Sequence, residues 1–217
     1  MWKGEGGMLV LKFIFAVISI LIGFACHEYA HAAVAYRLGD PTPKYEGRLT
    51  LNPIKHLDWF GAAVLMLTLF FTGGRCVVGW GKPVAINTES LNDPIVDGGV
   101  CSFAGPFANF LIVLIAGLPV KFGLVPIPLL EDFLTILASV NLALFIFNML
   151  PFPPLDGWKF LQVFVPRNWA YTMREWEINI GSTPLYCLMA LIVVLGPMVI
   201  GPLYAQLLGF FVGRLPQ

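Results

Sequence analysis

Residues 8–37, MLVLKFIFAVISILIGFACHEYAHAAVAYR, are an unbroken helix-compatible run in which Lys12, Glu28 and Arg37 are the only charged residues beside two histidines. At ~1.5 Å per residue the run outreaches a hydrocarbon core of ~30 Å. Lipid offers the backbone no water, so a segment of this kind satisfies its amides internally and spans as a helix. The rest of the chain agrees: it is 58% hydrophobic and 12% charged, with a mean hydropathy of +0.79, against roughly 25% charge in soluble domains. The expected class is an all-α polytopic membrane protein. The run shows no short apolar core followed by a small-residue cleavage site, so it reads as retained in the protein. Thirteen basic residues balance thirteen acidic ones, which argues against a nucleic-acid partner.

LGDPTPK ends the first span, and the loop 37–58 carries Arg37, Lys44, Arg48, Lys55 and His56. By the positive-inside rule this loop is cytoplasmic and the N-terminus outside. WFGAAVLMLTLFF, 59–71, is apolar but too short for an untilted span, and GGRCVVGWGKPVAIN follows it. The stretch 59–86 therefore reads as re-entrant: a short helix down, then extended chain or a hairpin over 76–86, with its irregular backbone buried in protein. Two further spans are expected at 96–120 and 133–150, the link between them carrying Lys121, Glu131 and Asp132 on the outside. PFPPLDG breaks the third span. The basic, Trp-containing stretch that follows, 157–180, reads as interfacial. A last apolar segment, about 183–213, contains Pro197 and Pro202, and both one kinked span and a helical pair fit it. The expected organisation is one membrane domain over 1–217, with a three-helix catalytic core at about 8–160, the re-entrant element, and the C-terminal membrane segment.

His27 and His31 stand at i and i+4, so both imidazoles leave one helix face a turn apart, a spacing that suits two ligands of one zinc ion. Glu28 lies beside the pair and could act as general base toward an attacking water. The bland reading is two lumen-facing histidines and a hydrogen-bonded glutamate. Against it stands the cost of an ionisable group at mid-bilayer, ~2.5 kcal/mol or more, which makes such residues functional by default. A catalytic zinc takes three protein ligands and keeps one position open. Asp156, in NMLPFPPLDG, is the best third candidate, because an unwound, proline-rich helix end can turn a carboxylate inward. Its bland alternative is a buried helix-terminating aspartate. Asn148 could donate to the oxyanion formed on peptide attack.

HEYAH, SFAGPFAN and NMLPFPPLDG, in this order and each in an apolar segment, resemble the site-2 proteases, which are intramembrane zinc metalloproteases. GRLTLNPIKHLDWFG and GWGKPVAIN resemble a compact prokaryotic branch that lacks a PDZ domain. The resemblance implies one Zn2+ per chain held by His27, His31 and Asp156, with Glu28 as the catalytic glutamate and Asn148 assisting at the scissile carbonyl. It also implies a β element at 76–86 lining the path of a transmembrane protein substrate, in a prokaryotic cell membrane; the basic loops 37–58 and 157–180 put the expected site near the cytoplasmic face. It names no substrate and no oligomeric state.

The alternative from another class is a metal-binding membrane transporter or sensor using the same His, His and Asp. Glu28, placed where a general base stands in zinc peptidases, and the lack of a second ligand cluster along the sequence count against it. His56, followed by Asp58, could serve as an alternative ligand, but it reads as an interfacial anchor beside Lys55 and Trp59. Gly105, Pro106 and Asn109 read as a close helix contact against HEYAH, with Asn109 as interhelical glue or as a partner of a ligand histidine. The four cysteines, Cys26, Cys76, Cys101 and Cys187, show no CxxC spacing and read as buried thiols. The 18 phenylalanines and 6 tryptophans read as lipid-facing and interfacial filling.

Overall fold

The computed structural model describes residues 5–72, 79–179, 198 and 200–213. With helices numbered in chain order, α1 (Glu5–Arg37), α4 (Val96–Lys121) and α5 (Pro128–Asn148) are long and apolar enough to cross a membrane. The protein is an all-α polytopic membrane protein. α5 starts earlier than the apolar run suggests, because Pro128 occupies the first turn, where a missing N–H costs nothing, and Glu131 sits at the positive end of the helix. It stops at Asn148, ahead of Pro151.

α1 and α4 run antiparallel. His27 meets Asn109, and one turn further along α1 His31 meets the carbonyl of Cys101, one turn or more back along α4. Glycine makes this approach possible. A Cβ at Gly105 would collide with His31 Nε2, and one at Gly23 would come within 2.5 Å of Asn141 Oδ1 on α5. Away from the site, Val113, Ala116, Leu137, Ala138 and Leu142 pack α4 on α5, and Leu208 and Val212 of the terminal helix Gly201–Val212 close the cluster. In lipid such packing, rather than transfer from water, holds helices together. Ile14, Ile18 and Ile22 recur every fourth residue on the outer side of α1 and remain exposed.

Between α1 and α4 lie a short helix, α2 (Thr42–Tyr45), and α3 (Trp59–Thr72). α3 coincides with the apolar run 59–71 and is 14 residues long, shorter than a span requires. Residues 73–78, with Cys76, lie outside the described residues, so the expected hairpin or extended chain over 76–86 is described only from Gly79 onward. From Gly79 the chain is extended. A single antiparallel bridge joins Gly81 to Leu57, and Lys82 N–H donates to His56 O at 2.8 Å. Among the described residues no regular strand forms. Asp40, fully buried, accepts Thr42 N–H at 2.9 Å and Asn87 N–H at 2.7 Å, fastening the far end of this segment to the end of α1. Buried Arg48 donates to the carbonyls of Lys55 and Lys82.

α6 (Asp156–Leu161) and α7 (Arg167–Asn179) follow the third span. Arg167 pairs with Asp93 at 2.5 Å, and Arg174 donates to Thr88 Oγ1 at 2.5 Å, so α7 is clipped to the loop before α4. The backbone N–H of Val96, with that of Ile95 and the Arg167 guanidinium, holds the Asp93 carboxyl below its ordinary range. Trp169 and Trp176 remain exposed on α7, as an interfacial helix requires. Of the expected C-terminal membrane segment, only Met198 and 200–213 lie within the described residues, and Cys187 lies outside them. Cys26 and Cys101 are free thiols.

Candidate metal centre

α1 delivers both histidines from one face. Their Nε2 atoms lie 3.0 Å apart, and both side chains are buried. Asp156 arrives from far along the chain, through the PFPPLD turn, which contains a cis peptide between Pro153 and Pro154. The turn brings α6 back against the end of α5 so closely that a Cβ at Gly157 would strike the carbonyls of Met149 and Leu150. Only glycine fits after the aspartate. Asp156 Oδ2 stands 3.2 Å from His27 Nε2 and 3.4 Å from His31 Nε2.

The hydrogen bonds behind the rings decide what this cluster is. His27 Nδ1 lies 2.7 Å from Asn109 Oδ1, and His31 Nδ1 lies 2.7 Å from the carbonyl oxygen of Cys101. Both partners are acceptors, so each Nδ1 carries the ring's proton and donates it. Each neutral imidazole then presents a bare lone pair at Nε2, toward the other ring and toward a carboxylate oxygen. Three acceptors facing one another in a buried space repel unless a proton or a metal cation sits among them. Zinc bonds of ~2.0–2.1 Å place tetrahedral ligand atoms about 3.3 Å apart, close to the separations found. The absent Cβ of Gly105 lets both imidazoles press against α4, since a Cβ there would collide with His31 Nε2 and lie 2.7 Å from His27 Cε1. His27, His31 and Asp156 fit a divalent ion.

Comparison with known proteins agrees with this chemistry. Peptidase family M50 matches residues 124–193, the part of the chain that holds Asp156. The "Putative zinc metalloprotease YwhC" of Bacillus subtilis is 38% identical over 171 residues, covering 75% of this chain and 74% of that protein. The chain belongs to peptidase family M50. Proteins named "Putative zinc metalloprotease Rip2" are 30% identical over 152 residues in Mycolicibacterium smegmatis and 26% identical over 151 residues in Mycobacterium tuberculosis. Each of these matches covers 69% of this chain and 57% of the Rip2 protein. No solved structure matches the chain.

For an M50 chain, the remaining residues singled out in the sequence divide into two groups. Glu28 lies beside the triad, and its Oε2 accepts the N–H of Val84 at 3.0 Å, so the extended segment 79–87 passes directly over it. Asn109 combines both roles open to it, bonding His27 and also Gly23 O and Asn141 Oδ1. Asn148 ends α5, and its amide donates to Leu144 O at 3.0 Å. His56 departs from expectation. It is fully buried rather than an interfacial anchor, donates from Nε2 to Thr50 O at 2.9 Å, and stands edge-on to Phe24. The extended segment over this loop, bonded to His56 O by Lys82 N–H, accounts for the burial. Asn141, Val84 and the Cys101 carbonyl escape a reading for ligands. Asn141 alone leaves a signal, as an uncharged polar residue in an otherwise apolar span; the other two act through the backbone, which no side-chain pattern reveals.

Proposed function

We propose that the chain is an intramembrane zinc metalloprotease that hydrolyses peptide bonds within or near transmembrane segments of protein substrates. The observation that carries the reading is the convergence of His27 Nε2, His31 Nε2 and Asp156 Oδ2 within 3.0–3.4 Å, with both Nδ1 protons already committed elsewhere. The metalloprotease names of the M50 relatives support it. His27, His31 and Asp156 hold one Zn2+ in a single membrane domain that extends over the whole chain. When bound, zinc supplies a Lewis acid that polarises the scissile carbonyl and makes water a stronger acid.

Glu28 takes the proton of the attacking water as the C–O bond forms and the carbonyl becomes an oxyanion; it then passes that proton to the leaving amine as the oxyanion collapses and the C–N bond breaks, which regenerates the carboxylate. Its contact with Val84 N–H fixes one oxygen and leaves the other for the water. Each amide NH2 has two donors. Asn148 spends one on Leu144 O and keeps one for the oxyanion. The substrate has to leave the helical state locally, because a helical carbonyl is already hydrogen-bonded and shielded. Basic residues in 37–58 and 157–180 support a cytoplasmic position for this end of the bundle, with water reaching the site from that side.

Glu28→Gln keeps shape and hydrogen bonding but removes the base. Zinc content should stay at one per chain while cleavage of a membrane-spanning substrate falls by ~10²-fold or more. Full proteolysis by the zinc-loaded variant would overturn the mechanism.

A further inference from the structure

We propose that Asn141 is a positioning residue for the metal centre: it sets which way round the Asn109 amide stands, and through it which nitrogen of His27 is free to hold the ion. The inference rests on the reading of His27 as a zinc ligand.

The chain of hydrogen bonds runs in one direction. Asn141 Nδ2 donates to Leu137 O at 2.8 Å, and a carbonyl can only accept. The Oδ1 of Asn141 is therefore turned away from its own helix, toward α4. There it accepts from Asn109 Nδ2 at 2.9 Å, while the second N–H of that amide goes to Gly23 O at 3.0 Å. With both its donors spent, Asn109 turns Oδ1 to His27 at 2.7 Å. Only a protonated Nδ1 can meet an acceptor at that distance. A neutral imidazole has one N–H, so Nε2 is left bare, facing Asp156.

Reversing any amide breaks the series. A flipped Asn109 would set its oxygen against two acceptors, Gly23 O and Asn141 Oδ1. Both asparagines are fully buried, so water cannot make good the loss. His31 needs no such device, since a backbone carbonyl fixes its tautomer. The relay thus crosses α5, α4 and α1 to serve one ligand. Gly23 completes it by leaving room, because a Cβ there would lie 2.5 Å from Asn141 Oδ1 and 3.1 Å from its Cγ.

The test is zinc affinity, measured by chelator competition on the full chain in detergent, with the apo-protein melting temperature taken on the same samples. Asn141→Leu, with the same branching at Cγ but without polarity, should weaken zinc binding 10–100-fold. Asn141→Asp should recover most of that loss. A buried, protonated aspartic acid still offers one donor to Leu137 O and one acceptor to Asn109. A residue that serves packing alone would give the reverse order, with Leu tolerated and Asp the worse variant. Gly23→Ala should weaken zinc binding from the α1 side, by pressing its Cβ on Asn141 Oδ1 while both asparagines stay in the sequence.

Zinc binding by Asn141→Leu at wild-type affinity would overturn the proposal, as would Asp weakening it as much as Leu. If Asn141→Leu does not fold, Gly23→Ala decides, and wild-type affinity in that variant overturns the relay. The underlying ligand reading fails separately, if His27→Ala holds zinc as tightly as wild type.

Discussion

The backbone N–H of Val84 donates to Oε2 of Glu28 at 3.0 Å, joining positions 56 residues apart in the chain. The contact ties the proposed general base to the extended segment that lies over the site. A hydrogen bond to a charged group contributes about 1.5–3 kcal/mol.

Val84→Pro removes this donor, whereas Val84→Ala keeps it. With ~1.4 kcal/mol corresponding to tenfold in rate, kcat/KM of the proline variant should fall about tenfold or more, with zinc content unchanged. Alanine should stay near wild type. Equal activity of the two variants would show that the N–H does not position Glu28.

Gly105→Ala should abolish stoichiometric zinc binding, because its Cβ would sit against His31 Nε2 and His27 Cε1. Gly98→Ala, on the same helix, meets only Thr88 Cγ2 at an ordinary 3.5 Å and should bind zinc normally. Elemental analysis of the two purified proteins makes the comparison.

Asp40→Ala leaves the N–H groups of Thr42 and Asn87 without their buried acceptor. Two lost charge-assisted bonds should cost about 3 kcal/mol or more. The expected result is a clearly lower melting temperature in detergent, together with protease sensitivity in the 79–87 segment. An unchanged melting curve would remove Asp40 as the fastening.

How much of this was legible beforehand depends on where the information resides. Three spans and the short apolar helix at 59–71 were readable because lipid demands length and hydropathy, both written in side chains. The convergence of His27, His31 and Asp156 is legible because a charged or ligating residue in an apolar run, or at its end, is costly and therefore conspicuous. The Cys101 carbonyl and the Val84 N–H were not, since every residue has the same backbone groups and only the fold selects these two. His56 was misplaced for a related reason. Its neighbours Lys55 and Trp59 suggest an interface, while the cover that buries it comes from residues about 25 positions later.

The clip between α7 and the loop before α4 should be acid-labile. The Asp93 carboxyl is held below its ordinary range by the Val96 and Ile95 amides and by Arg167. A depressed carboxyl contributes its full stabilisation above the ordinary carboxylate range and loses it as pH falls through the lowered value. Proteolysis of α7 should therefore rise in acid for wild type. Asp93→Ala should show the acid level of cleavage at neutral pH and little further change. A pH dependence identical to wild type would assign the acid sensitivity to another group.

The nearness of Asp156 to His31 also has a mechanical side. The two residues are separated by more than a hundred others, and the carboxylate reaches the imidazole only because a proline-rich turn folds back beneath the third span. Zinc held at this point would be a buckle as well as a reagent: it would fasten the first membrane helix to the start of α6 and close the intervening chain into a ring. A fastening of this type works by mass action, adding about 2.7 kcal/mol when free zinc is a hundredfold above its dissociation constant. On that reading the protein's resistance to unfolding would follow the supply of zinc, and removing the metal should loosen the turn that carries Asp156.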